Sequence, residues 1–144
     1  MTRVHSTPSR PRSRPAWLAL SIALIGIGLV WRLVPLGLPR FALKYGGSLL
    51  WASMVYSLSA ALLPRWSIAA TATVAGLVAL SIELLRLYHQ PWLDAFRLTL
   101  PGALLLGRIF SPWNLVAYAA GIRAAAWCEW LIARRNLPYR QPPA

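Results

Sequence analysis

What most constrains this chain is a series of apolar runs of membrane-crossing length, each cut off by proline. A bilayer core of ~30 Å takes ~20 helical residues at 1.5 Å rise each. Residues 16–34 supply such a run, ended by Pro35, Gly37 and Pro39; residues 47–63 supply a second, stopped by Pro64. A third follows at once, residues 67–85, with only Pro64, Arg65 and Trp66 between, so the second and third helices pair as a tight antiparallel hairpin. After a polar stretch, residues 98–110 are apolar but short and interrupted by Pro101, Gly102 and Gly107, as an interfacial or re-entrant helix would be. Pro112 then opens a last run to residue 133, proline being tolerated in a first helical turn. The expected architecture is all-α: a polytopic membrane protein of four transmembrane helices plus that short helix.

Composition agrees. Of 144 residues, 58% are apolar and only 12% charged, about half the charge of an ordinary soluble domain. Eight Trp and five Tyr suit a protein with two membrane–water interfaces to line. The net charge of +12, fifteen Lys and Arg against Glu83, Asp94 and Glu129, would suggest nucleic acid in a soluble protein. Here most of the bases sit at the ends of apolar runs, so the expected partners are membrane lipids and not nucleic acid. Cys128 lies alone in an apolar stretch, where packing is its expected role.

Residues 1–15, with Arg3, Arg10, Arg12, Arg14 and three prolines, read as a disordered basic tail; residues 134–144 read as a second polar, Pro-rich tail. The single bundle lies between, at residues 16–133. A basic tail before an apolar run also resembles a signal peptide, but no convincing small-residue cleavage site follows, so an uncleaved first helix is expected. Four crossings place both termini on one side. That side carries Arg3, Arg10, Arg12, Arg14, Arg65, Arg134, Arg135 and Arg140 against Arg32, Arg40, Lys44, Arg86, Arg97 and Arg108 on the other, a bias towards cytoplasmic termini. Trp17, Trp66 and Trp130 would mark one interface, and Trp31, Tyr45, Trp51, Trp92 and Trp113 the other. Ser53, Ser57 and Ala61, and again Ala117, Gly121 and Ala125, recur at four-residue spacing, which lets helices approach closely.

Few polar groups lie at membrane depth. Glu83 ends the third run, with Arg86 three residues on and on the same helical face. The choice is between an interfacial salt bridge and an acid facing a cavity. Asp94 and Arg97 repeat the spacing, beside Tyr88, His89, Gln90 and Trp92. Together Glu83, Arg86, Asp94 and Arg97 would form a polar lip, the two guanidinium groups suiting a phosphate or carboxylate on a lipid-like ligand. Arg123 falls mid-bilayer, at roughly 2.5–3.5 kcal/mol on insertion scales, and should be buried facing Glu83, the Tyr56 hydroxyl or Trp127; Tyr56 and Asn114 are expected to be buried polar groups as well. Otherwise the last crossing is residues 98–120, followed by an amphipathic surface helix at residues 122–135. Two His and one Cys form no convincing metal site, no phosphate-cradling loop is present, and no cofactor is implied.

The stretch from Tyr45 to Ala52, Ile82-Glu83 with Leu87-Tyr88, Pro91 to Arg97, Gly102 to Leu104 with Leu106-Gly107 and Phe110, and Asn114-Leu115 with Ala117-Tyr118 and Gly121 resembles the bacterial membrane family called domain of unknown function 2809. The likeness runs over residues 41–121, and its layout is similar, more loosely, to the VanZ-like membrane proteins. The resemblance implies a small polytopic inner-membrane protein with no established activity, and makes Glu83 and Arg97 the family-like polar positions. The chain departs from that pattern at Ser48 and Asn114, where acids are usual, and at Arg86, where Gln is common. The expected function is binding or shielding of a lipid-like or envelope ligand at the outer leaflet. The alternatives are a small enzyme on a lipid-linked substrate, with Glu83 as acid or base, and an oligomeric transporter. A homo-oligomer or a membrane-protein partner is compatible with each.

Overall fold

A computed structural model describes residues 12–107 and 109–135. Among these, every regular element is an α-helix: α1 (Arg14–Leu33), α2 (Arg40–Leu62), α3 (Ile68–Leu85), α4 (Pro91–Leu98), α5 (Leu100–Leu105) and α6 (Pro112–Arg135). Three of them, α1, α3 and α6, are long and apolar enough to cross a membrane. The helix α2 is longer than α3, but Ser48, Ser53, Ser57, Ser59 and its glycines make it less apolar. Its place explains why. It packs against α1, α3 and α6, and eight of its residues are buried. A helix covered by protein need not be apolar all round.

The hydroxyls are satisfied within the helices that carry them. Ser48, Ser53 and Ser59 donate to the carbonyls of Lys44, Leu49 and Val55 one turn back, and Ser57 donates to Met54 O. This back-bonding lets a hydroxyl enter a dry interior without an orphaned donor. The small side chains then permit close approach. Ser53 Oγ also reaches Gly121 O on α6 at 3.2 Å, and a Cβ on Gly121 would run into the Leu49 carbonyl. On the other side Ser21 of α1 meets Ser57 at 2.9 Å, and Trp17 packs edge-on to Tyr56. The expected stripes therefore lie at the contacts. A third, Thr71, Ala75, Ala79 and Glu83, forms the buried side of α3.

Contacts along the helices define two ends. At one end, here end B, the start of α1, the α2–α3 hairpin and the C-terminal part of α6 come together. Arg12 N–H bonds Pro64 O there, and its side chain reaches both the hairpin and Glu129. At the other, end A, the start of α2, the end of α3, α4, α5 and the start of α6 meet. The helix α6 is continuous through residues 112–135, so the alternative of a crossing at residues 98–120 followed by a separate surface helix does not hold. Among the described residues of 98–110 there is no spanning helix. They hold the end of α4, then α5, turned sharply at Thr99, whose Oγ1 accepts from Gly102 N–H and donates to Phe96 O. Gly102 sits against the Phe96 carbonyl with no room for a Cβ.

The observed bounds extend several expected ones. The second helix starts at Arg40, seven residues ahead of the expected 47. Arg12, Arg14 and Pro15, assigned above to a disordered tail, belong to the folded part: α1 begins at Arg14 with proline in its first turn. Residues 1–11 and 136–144, the rest of the expected tails, lie outside the described residues.

Candidate functional site

At end A the carboxylate of Glu83 is fully buried. It closes the small-residue stripe of α3, which aims it at α6. One oxygen accepts from Ser111 N–H at 2.7 Å and Asn114 Nδ2 at 3.2 Å. The other accepts from Arg86 Nη1 at 2.5 Å and Tyr118 Oη at 3.0 Å. An ionised carboxylate offers about four acceptor directions, and four donors fill them. Arg86 is held as firmly: Nε donates to Leu106 O at 2.5 Å and Nη2 to Tyr118 Oη at 3.0 Å. The Tyr118 hydroxyl thus donates to the acid and accepts from the base. Gly107, at φ +69°, closes over the guanidinium, and a Cβ there would collide with it. Ser48 donates to Asn114 Oδ1 at 3.4 Å, and Lys44 Nζ to Ser111 Oγ at 3.4 Å. Trp51 packs at a tilt against the Tyr118 ring, centroids 5.3 Å apart.

The second expected pair forms separately. Arg97 is buried and donates to Asp94 at 2.8 Å, to Tyr88 O at 2.9 Å and to Leu85 O at 2.5 Å. It fixes α4 under the C-terminal carbonyls of α3, where a cation is favoured. Asp94 and His89 are more exposed, their side chains 3.3 Å apart. The structure therefore brings Glu83 with Arg86 and Asp94 with Arg97, but as internal braces. They do not make one open lip.

Of the residues expected to be buried, Tyr56 and Asn114 are. Arg123 is not. It lies exposed on the face of α6 opposite Asn114, Tyr118 and Gly121, bordering a groove with Ala126, Trp127 and Trp130. The reason is that the interior already has its cations. Arg86 neutralises Glu83, and Arg12 takes Glu129 at end B. There Arg12 Nε and Nη2 meet the two oxygens of Glu129 at 2.5 and 3.1 Å, a forked pair. The hydroxyl of Tyr56 donates to the same carboxylate at 2.5 Å. Arg12 Nη1 bonds Leu63 O, Trp66 O and Thr71 Oγ1. Sequence reasoning missed this node. Arg12 and Glu129 are 117 residues apart, and the one available signal was an acid inside an apolar helix, the sign that drew attention to Glu83.

Elsewhere at end A, a shallow groove of about 310 Å³ runs along the α2–α6 seam, lined by Tyr45, Gly46, Leu49, Trp113, Val116, Ala117 and Ala120. Its walls are almost wholly apolar. Lys44 stands beside it, with its ammonium 5.2 Å from the Tyr45 ring.

Residues 37–122 match the family described as Protein of unknown function (DUF2809). The chain belongs to that family. The matched segment contains Glu83, Arg86, Asp94, Arg97, Tyr118 and the α2–α6 seam, while Arg12, Arg123 and Glu129 lie outside it. Glu83 and Arg97, the polar positions that the resemblance implied, are both buried. Ser48, Arg86 and Asn114, expected above to depart from the family pattern, all belong to the Glu83 network. No solved structure matches the chain.

Proposed function

We propose that this DUF2809 protein is a non-catalytic, four-crossing protein of a bacterial cytoplasmic membrane that binds a lipid-like molecule at end A. In this reading α1, α2, α3 and α6 cross, α4 and α5 lie at the outer surface, and both termini face the cytoplasm. The arginines of end B support that orientation. The observation that carries the binding role is the shallow apolar α2–α6 groove, lined in part by Tyr45 and Trp113, with Lys44 beside it. Such a shape suits one acyl or isoprenoid chain, with an anionic headgroup near Lys44 and Arg40.

Glu83, Arg86, Asp94 and Arg97 then act as supports and not as the lip itself. The hydrogen bonds of Glu83, Arg86 and Arg97 are directed inward, while Asp94 is part-exposed and braces Arg97. The same geometry disfavours an enzyme built on Glu83, because four donors already occupy its oxygens and leave no side open to a substrate proton.

Native mass spectrometry of the purified protein tests this directly. The wild type is expected to carry an amphiphile. Ala117→Phe, which fills the groove, should lose it. A paired Glu83→Gln, Arg86→Gln variant, if folded, should retain it. An unchanged load in Ala117→Phe would remove the groove from the account.

A further inference from the structure

The outer face of α6 at end B carries an arrangement that the groove at end A does not explain. Arg123, Trp127, Trp130 and Arg134 follow one another at spacings of four, three and four residues, which puts all four on a single stripe of the helix. The opposite side is the one buried in the bundle, through Asn114, Tyr118, Gly121 and Ile122. The stripe is ordered by its own contacts. Trp127 and Trp130 stack with centroids 5.0 Å apart, and the Arg134 guanidinium lies 4.1 Å over the Trp130 ring. Above the indoles, Arg123 borders an open groove of about 260 Å³, floored by Ala126.

Charge balance indicates what would cover this face. The chain has three acids, and each is already committed: Glu129 to Arg12, Glu83 to Arg86 and Asp94 to Arg97. No carboxylate side chain remains for Arg123 or Arg134. Since α6 is long and apolar enough to span, Arg123 sits about 10 Å inward of Trp130 along the axis, seven residues at 1.5 Å each. An unneutralised guanidinium on an outward face at that depth is costly. A second copy of the chain would bring the same cations and no spare acid. An anionic phospholipid brings both parts the face lacks, a phosphate for the guanidinium groups and acyl chains for the indoles and the alanine floor. Exposed Arg14, Arg65 and Arg135 add to the positive rim of the same end.

We propose that the Arg123–Trp127–Trp130–Arg134 face of α6 is a binding site for an anionic phospholipid of the leaflet at end B. The lipid phosphate lies between the two guanidinium groups, with Arg123 extended towards it along the Trp pair, and one acyl chain continues along the exposed side of α6 past Ala119 and Val116. The site stands independently of the end A groove and requires only that α6 crosses.

Full-length protein in maltoside detergent, titrated with phosphatidylglycerol or phosphatidylcholine and read by native mass spectrometry, tests it. Phosphatidylglycerol should be retained in clear preference. Arg123→Gln and Arg134→Gln should each weaken retention about fivefold, the effect of one guanidinium near an anionic surface. The double variant should retain far less phosphatidylglycerol, and Arg32→Gln, an exposed arginine at the end A terminus of α1, should leave the preference as it was. Both arginines are exposed, so an unchanged unfolding temperature confirms that the variants are folded. Unaltered phosphatidylglycerol retention in the double variant would overturn the proposal. So would full displacement by millimolar inorganic phosphate, or a change of oligomeric state in Arg123→Gln with lipid binding intact.

Discussion

Glu83 and Arg86 are adjacent on one helix end, yet their partners come from the α5–α6 segment and α6: Leu106, Ser111, Asn114 and Tyr118. Removing one charge of such a buried pair leaves the other uncompensated, which typically costs about 3–5 kcal/mol. Glu83→Gln should therefore lower stability by that order, while adding Arg86→Gln should return part of the loss. Chemical unfolding in detergent, arranged as a double-mutant cycle, measures it; strictly additive costs would mean that the two side chains are not coupled. Glycines offer a second contrast. Gly37 and Gly107 both have positive φ, but nothing lies within 4 Å of a Cβ at Gly37, whereas at Gly107 it would strike the Arg86 guanidinium. Gly37→Ala should cost only the backbone strain, about 1–2 kcal/mol. Gly107→Ala should cost clearly more, and equal unfolding temperatures for the two would show that Gly107 does not pack on Arg86.

At the level of elements, α2 and α6 decide the packing. Their seam depends on absent side chains: Gly121 lies against the Leu49 carbonyl, and Ser53 bonds across to the Gly121 carbonyl. In lipid the helices are held by van der Waals fit and such bonds, with little help from water exclusion. Gly121→Ala should push α6 away and lower stability by about 1–3 kcal/mol, the usual range for overpacking. Gly47→Ala, one helix over, meets nothing within 4 Å and should be neutral or slightly stabilising, alanine being the better helix former. Thermal unfolding of both in the same detergent separates them. The helix α3 shows the same logic with polar ends. Thr71 at one end of its buried stripe contacts Arg12, and Glu83 at the other contacts Arg86.

Over the whole molecule, each end carries a buried ionic node that ties together elements distant in sequence. Arg12 joins the start of α1 to the hairpin and to α6, so Arg12→Gln should destabilise by roughly 3 kcal/mol, leaving Glu129 with Tyr56 alone. A normal unfolding temperature for that variant would show the node to be dispensable. The four-crossing reading makes a separate prediction. In a Cys128→Ser background, single cysteines at Ser6 and Pro142 should label from the same side of the membrane with an impermeant maleimide, and one at Trp92 from the opposite side. Opposite labelling of the two termini would require an odd number of crossings.

Much of this was legible in the residues themselves. Apolar runs of spanning length, bounded by Pro35, Pro64 and Pro112, determine that the chain is helical, where α1, α3 and α6 lie, and that α2 and α3 are joined by a tight turn, because hydrophobic length and missing backbone donors are local properties. The small-residue stripes announced close packing for the same reason. Only the tertiary structure decided where the charges go. Glu129 and Arg12 pair across most of the chain, and Arg97 buries itself under the α3 carbonyls instead of opening onto a ligand. Arg123 turns outward because each acid already has a closer base. Pairing of this kind depends on which helix faces meet in space, and no pattern along a single strand of sequence encodes that.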